Sequence, residues 1–344
     1  MDLQELLINY IQANPSQSSM EIHEGIHTDK AYATTKRALG KLVTDGFIII
    51  EGKGKGTKYL ISPSYQLFFP IDLESYFEKE IDERQIHEYF NFVLVEVTLP
   101  AVSIFTKAEQ QQLETLQLTF KDNVSHLSAS AYQKEMERLA IDLSWKSSQI
   151  EGNTYSLLET ERLLKDQETA AGKPKDDATM LLNHKEAINF IAEHPDYMQP
   201  LKIAAIEDIH SILVKDLGVD RNIRTRRVGV TGTNYKPLDN EHQIREALEK
   251  MCDLVNAKEN VFEKALLLLI LLSYIQAFGD GNKRTARIIS NAMLMAHEYC
   301  PISFRTVDAI AYKKAMLIFY EQNNLSAFKR IFIEQFEFAV KTYF

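Results

Sequence analysis

The stretch Ile275-Gln276-Ala277-Phe278-Gly279-Asp280-Gly281-Asn282-Lys283-Arg284-Thr285-Ala286-Arg287 concentrates residue types that handle a polyphosphate. An apolar helix closes at Phe278, a tight Gly-Asp-Gly turn follows, and a second helix opens near Asn282 and continues through Ile288, Ile289, Met293 and Leu294. A helix N-terminus entered through glycines offers free backbone N–H groups and the positive end of the helix dipole to an anion. Arg284 and Arg287, three residues apart, share one side of the first turns. Asp280 stands where a hard cation bridging phosphates could be held. Other phosphate motifs do not fit. A Walker or Rossmann loop follows a strand, whereas the preceding element here is a Leu-rich helix, and the alternating acids of an EF-hand are missing. A bare Gly-Asp-Gly-Asn corner is more often a solvated turn. The two arginines at helical offsets, with apolar helices on both sides, shift the reading to an anion site.

The elements around this turn are mostly helical. The chain has 344 residues, 45% of them hydrophobic and 25% charged, with only 13 Gly and 9 Pro, which favours helices over a many-stranded sandwich and excludes extensive disorder. Helical periodicity predicts helices over Tyr132 to Glu151, Leu157 to Lys165, Asp176 to Ala192, Lys202 to Leu217, Asn240 to Ala257 and Phe262 to Phe278. It breaks at Arg224 to Leu238, where Val228 to Pro237 reads as a small hairpin. Residues 63–129 form a connecting, mostly helical region, with a charge-rich helix expected over Asp72 to Phe92 and a strand or helix core at Val93 to Val97. Residues 1–62 have a pattern of their own. Three helices end at Asp45-Gly46, and the strands Phe47-Ile50 and Lys58-Ile61 are joined by the basic tip Gly52-Lys53-Gly54-Lys55-Gly56.

Charge and targeting signals bound the rest. The net charge of −9 argues against nucleic-acid binding through bulk charge. The N-terminus lacks a signal-peptide pattern, and the longest apolar run, Ala265 to Leu272, is too short to span a bilayer, so a cytoplasmic protein with no membrane partner is expected. Cys252 and Cys300 read as reduced core thiols, His210 as a packing or capping histidine, Met293 and Met295 as core, and Trp145 as an anchor of its helix.

Two motifs carry a family resemblance. The stretch after Ile275 resembles the Fic (Fido) signature H-x-F-x-[D/E]-G-N-[G/K]-R-x-x-R, matched by Phe278, Asp280, Gly281, Asn282, Lys283, Arg284 and Arg287, with Gln276 at the histidine position. Upstream, Ser147-Ser148-Gln149-Ile150-Glu151-Gly152 resembles the family's inhibitory pattern [S/T]-x-x-x-E-[G/N], on a helix of about residues 132–152 ahead of the core. The resemblance covers about residues 130–335 and implies a Fic-type helical bundle with a β-hairpin flap. It further implies transfer of AMP from ATP to a hydroxyl of a protein, either an unidentified target or the chain itself. Asp280 would hold Mg²⁺, the turn Gly281, Asn282, Lys283 and Arg284 would cradle phosphates with Arg287, and Thr231, Gly232, Thr233 and Tyr235 would lay the target along the flap. Glu151, in the inhibitory motif that begins at Ser147, would pair with Arg287 and inhibit, and Gln276 would lack the basicity of the histidine it replaces.

Residues 1–62 resemble a winged helix-turn-helix, with Thr34, Thr35, Lys36, Arg37 and Lys41 on or near the recognition helix and Lys53, Lys55 and Lys58 on the wing. Six Lys and one Arg balance seven acids there, so the unit is neutral. It suits a DNA-binding role or a packing and homodimerisation role equally. The functional alternatives are therefore a self-inhibited adenylyltransferase impaired at Gln276, a nucleotide-binding pseudoenzyme, and a DNA-binding or protein-interaction regulator that senses nucleotide.

Overall fold

A computed structural model describes residues 2–344, with the side chain of Lys55 outside the described residues. The chain divides after Ile71 into two compact units. In the first, α1 (Leu3–Ala13), α2 (Ser19–Gly25) and α3 (Tyr32–Thr44) precede β1 (Ile48–Glu51) and β2 (Lys58–Ile61). α2 starts at a capping box in which Ser18 and Glu21 satisfy each other's free N–H groups. The strands pair antiparallel, Ile48 opposite Ile61 and Glu51 opposite Lys58. Leu7, Ile8, Ile11, Ile22, Leu39 and Leu42 form the core, and Tyr65, Phe68 and Phe69 pack onto it, which carries this unit beyond the hairpin.

The second unit is helical. Its long elements are α4 (Lys107–Ser125), α5 (Ala129–Ile150), α6 (Leu157–Asp166), α7 (Lys175–Glu193), α8 (Ile203–Leu213), α9 (Glu241–Ala257), α10 (Val261–Ile275), α11 (Asn282–Ala296), α12 (Ala309–Gln322) and α13 (Ser326–Tyr343). Capping boxes open α4 (Thr106, Glu109) and α6 (Ser156, Glu159). α10 is buried along its whole length, as its unbroken Leu/Ile run requires. It packs along α11, with α9 and α12 also against it. No helix among the described residues is long and apolar enough to cross a membrane.

Three sequence expectations fail, two of them because of contacts distant in sequence. The expected helix over Asp72 to Phe92 is instead one turn at Leu73–Phe77, a short 3₁₀ turn at Ile81–Glu83 and an extended strap beyond. The charges that suggested a solvated helix face bind elsewhere in the unit. Arg84 forms a buried ion pair with Glu321 at 3.1 Å, Tyr76 donates its hydroxyl to Glu321 at 2.7 Å, and the His87 N–H donates to the Glu321 carbonyl at 2.8 Å. Val93 to Val97 belongs to a π-helical turn, Leu94–Thr98.

The expected hairpin flap at Val228 to Pro237 has no strand ladder of its own. Its second arm is held by the strap. Lys236 N–H donates to the Glu88 carbonyl at 2.7 Å, Arg84 Nη2 to the Gly232 carbonyl at 2.9 Å, and Asn234 Nδ2 to Asp82 at 2.8 Å. A parallel bridge pairs Tyr89 with Lys236. The apolar helix α10 stops at Ile275 and not Phe278, because Gln276 takes a left-handed conformation (φ 53°).

The Arg84–Glu321 pair predicts a stability effect. Arg84→Met leaves the Glu321 carboxylate buried beside Tyr76 without its cation and lowers the unfolding free energy of the helical unit by about 3–5 kcal/mol, and adding Glu321→Gln recovers most of the loss. Denaturant titrations of the parent and both variants check this, and an unchanged midpoint in the single variant contradicts it.

Candidate nucleotide site

The site begins where α10 stops and α11 starts. Gly281 caps α11 at φ 79°, a conformation that favours glycine, and a Cβ there would come within 3.2 Å of His210 and Val214. Asn282 braces the turn from inside. Its Oδ1 accepts from Phe278 N–H at 2.9 Å, and its Nδ2 donates to the Phe278 carbonyl at 2.8 Å and to Gln276 Oε1 at 3.1 Å. The Gln276 amide is used at both ends, since Nε2 also donates to the Ser273 carbonyl at 2.6 Å. Below the turn, Phe278 stacks on His210 at 3.6 Å, and His210 Nδ1 lies 3.2 Å from Thr285 Oγ1. Burial lowers the His210 pKa to about 4, so it is the neutral packing residue expected.

α11 places three cations on this corner. Arg284 is buried, donating to Asp280 at 3.1 Å and to the Leu213 carbonyl at 3.4 Å. Asp280 itself is 69% exposed. Arg287 is wholly buried and grips the last turn of α5. Its Nε donates to Ser147 Oγ at 2.8 Å, and its Nη2 to the Ser147 carbonyl at 3.0 Å and to Glu151 Oε1 at 2.8 Å. Lys283 meets the other Glu151 oxygen at 3.2 Å, a contact not anticipated from sequence. One carboxylate thus bridges two cations of the phosphate corner. Burial pushes the Glu151 carboxyl up, but the Arg287 and Lys283 charges outweigh it and hold the pKa to about 2.

A cleft of about 400 Å³ opens over this corner, lined by Glu151, Gln276 and Gly279 to Arg284, by Val228 to Thr231 of the flap, and by α12. Of the flap residues expected to meet a target, only Thr231 reaches it. Tyr235 is buried, stacked on Tyr274 at 4.8 Å and on Tyr320 at 5.5 Å, with its hydroxyl donated to the Tyr274 carbonyl at 3.0 Å. It anchors the flap and presents nothing to the cleft. Gly232 and Thr233 also lie off the lining.

Sequence reasoning missed the α12 wall, Tyr312, Lys313, Met316, Leu317 and Tyr320. Tyr312, Met316 and Tyr320 recur every fourth residue, a stripe that reads as ordinary core. It also missed Arg224, buried at the flap root, whose Nε donates to the Gln276 carbonyl at 2.6 Å and whose backbone N–H donates to the Ala277 carbonyl at 3.0 Å. Among the described residues no three His, Cys, Asp or Glu side chains group to hold a metal ion. In the first unit Lys36, Arg37 and Lys53 are exposed, while Lys58 pairs with Glu21 at 3.0 Å.

This geometry, a helix N-terminus entered through Gly281 with two buried arginines behind it, defines an anion-binding corner on a helical scaffold. Residues 200–294 match the family model described as Fic/DOC family, so the chain carries a Fic domain. It is 24% identical over 260 residues to Protein adenylyltransferase fic-1 of Caenorhabditis elegans, covering 72% of this chain and 49% of that protein. It is 29% identical over 176 residues to Protein adenylyltransferase Fic of Nematostella vectensis, covering 49% of this chain and 40% of that one. The chain spans about half the length, or less, of these curated relatives. In fold it is similar to the solved Fic-1 (aa134–508) from C. elegans, with a TM-score of 0.59 and 21% identity over 69% of this chain and 72% of that one. It is also similar to a Fic domain containing signaling protein from Bacteroides thetaiotaomicron, with a TM-score of 0.57 and 19% identity over 67% and 95% of the two chains.

The lowered Glu151 pKa fixes a pH dependence. A carboxyl whose folded pKa lies below its ordinary value of 4.5 adds stability above that value and loses it as the pH falls through about 2. Glu151→Gln therefore costs up to about 3 kcal/mol at pH 7, and the difference from the parent shrinks between about pH 4.5 and 2. Unfolding free energies of both proteins across that range check it, and a pH-independent difference contradicts it.

Proposed function

We propose that this chain is a Fic-type protein adenylyltransferase whose cleft is held inhibited by Glu151 and whose transfer step is slowed by Gln276. The observation that carries this reading is the bridge from Glu151 to Arg287 and Lys283 across the Gly281–Arg284 turn. In the reaction the target hydroxyl oxygen bonds to the α-phosphorus of ATP, the bond to the β-phosphate oxygen breaks, pyrophosphate leaves and the hydroxyl proton is released. The N–H groups at the start of α11 and Arg284 stabilise charge on the phosphates. Arg287, freed from Glu151, meets the terminal phosphate, and Thr231 with its neighbours in the first flap arm borders the target segment.

Asp280 suits Mg²⁺, because its carboxylate is exposed at the cleft rim beside the phosphate turn, and Mg²⁺ commonly takes one or two carboxylates plus substrate phosphates and water. When bound it neutralises phosphate charge. Gln276 at the reacting position orients a hydroxyl and accepts no proton, because an amide is not a base near neutral pH. No histidine lines the cleft among the described residues.

A second reading, a nucleotide-binding pseudoenzyme that regulates through the first unit, is favoured by the Gln276 amide, whose oxygen and nitrogen are both bonded within the turn. On that reading residues 1–62 act as a winged helix, with Lys36, Arg37 and Lys53 toward DNA, or as a protein-interaction module.

Labelled-AMP transfer separates the two. With Glu151→Gly in both backgrounds, Gln276→His raises the rate by about 10²–10⁴-fold, the usual worth of a general base. Equal rates contradict the role assigned to position 276, and no transfer by either supports the second reading. Duplex DNA binding by the full chain is expected to be weaker than about 1 μM at roughly 0.15 M salt, given the neutral first unit, and a sub-micromolar affinity with a steep salt slope overturns that.

A further inference from the structure

Among the described residues, His184 on α7 is the one fully buried imidazole that touches the inhibitory turn. It has no exposed surface, its Nε2 lies 3.1 Å from Ser147 Oγ, and its Nδ1 has no hydrogen-bond partner. The same Ser147 oxygen accepts Arg287 Nε at 2.8 Å. A hydroxyl has two lone pairs and one hydrogen, so Ser147 can serve both neighbours at once in either neutral tautomer of the imidazole. Burial first, and then the Arg284 and Arg287 charges, keep the His184 pKa well below its ordinary value. The imidazole is therefore a neutral spacer beside two guanidinium groups. A charged side chain here would add a third buried cation.

The contact sets the position of a helix. Arg287 grips α5 at the Ser147 hydroxyl, the Ser147 carbonyl and Glu151, all within one turn. α5 is tied to α7 at that level by His184, and beyond its C-terminus the chain is held to α7 by Asn153 Nδ2, which donates to the Asp177 carbonyl at 2.9 Å. α7 itself packs on α11, which carries Arg287. Its preceding residue, Asn183, donates to the Leu213 carbonyl at 3.3 Å, the same oxygen that accepts Arg284 Nη1. Neighbouring residues of α7 thus each support one arginine of the phosphate corner through a single intermediary.

Resting on the inhibitory reading of Glu151, we propose that His184 is a positioning residue for inhibition: through Ser147 it sets the register of α5 against α11 so that the Glu151 carboxylate reaches Arg287. Weakening that tie frees the Ser147 turn from α7, so α5 shifts at that level and the clamp loosens. A purely structural histidine would behave differently, since its loss would degrade the nucleotide corner whether or not Glu151 were present.

A double-mutant cycle read by ATP affinity distinguishes these cases, using the full chain, calorimetric Kd values and His184→Leu, His184→Gln, Glu151→Gly and the combinations. His184→Leu is expected to tighten ATP binding by at least about threefold when Glu151 is present and to leave it within about twofold in the Glu151→Gly background. His184→Gln, which keeps a hydrogen-bonding group toward Ser147, is expected to stay near the parent. If His184→Leu does not fold, His184→Met removes the same link with an unbranched side chain, leaves the Ser147–Arg287 hydrogen bond in place, and should show the same dependence on Glu151. Tighter binding by Glu151→Gly with no change in the position-184 variants, or weaker binding in both backgrounds, overturns the role of His184 and leaves the inhibitory reading standing. No effect of Glu151→Gly itself removes both.

Discussion

A guanidinium buried as completely as Arg287 needs an anion or a set of carbonyl acceptors, and the organisation of the site follows from which it has. Here the acceptors all belong to α5: a serine hydroxyl, its carbonyl and a carboxylate. The charge that a polyphosphate would supply is thus provided by the chain's own helix. Glu151 is favourable there because two cations share it, and those two cations lie on the face of α11 that would otherwise meet phosphate. The stability expected of Glu151 and the inhibition proposed for it rest on one ion cluster.

The cluster can be so exact in placement because its scaffold is stiff. α10 is buried on every side, so the left-handed turn at Gln276 and the Asn282 brace emerge from a fixed point. The flap is set from two directions. Arg224 ties its root to the Gln276–Ala277 backbone, and the 3₁₀ turn at Asp82 and the strap after it hold its far arm through Asp82, Arg84 and Glu88. Tyr235, stacked among Tyr274 and Tyr320, fills the space between flap and core. The first arm, Val228 to Thr231, is left bordering the cleft.

What the sequence made legible is what local spacing determines. Gly281, Asn282, Arg284 and Arg287 lie within two helical turns, so their convergence follows from a helix start alone, and α10 announces itself by its unbroken apolar run. Glu151 was legible through a motif, although its second partner, Lys283, was not. The missed parts depend on contacts far apart in sequence. The strap looked like a charged helix because Asp82, Arg84 and Glu88 have the composition of a solvated face, while their partners lie about 150 to 240 residues onward. The flap looked like a hairpin because Val, Thr and Gly alternate there, yet its second arm meets the strap, through the bridge of Lys236 with Tyr89. The α12 wall was hidden because Tyr312, Met316 and Tyr320, spaced four apart, also describe a core helix.

The central claim is that Glu151 holds the place on Arg287 that a terminal phosphate would take. Calorimetric binding of ADP and ATP to the parent and to Glu151→Gly tests it most directly, since the two nucleotides differ only in that phosphate. The account predicts nearly equal affinities for ADP and ATP in the parent, and a preference for ATP of about tenfold in Glu151→Gly, as one charge-assisted contact worth about 1.4 kcal/mol becomes available. A parent that already prefers ATP by that factor, or a variant that gains no preference, would contradict it.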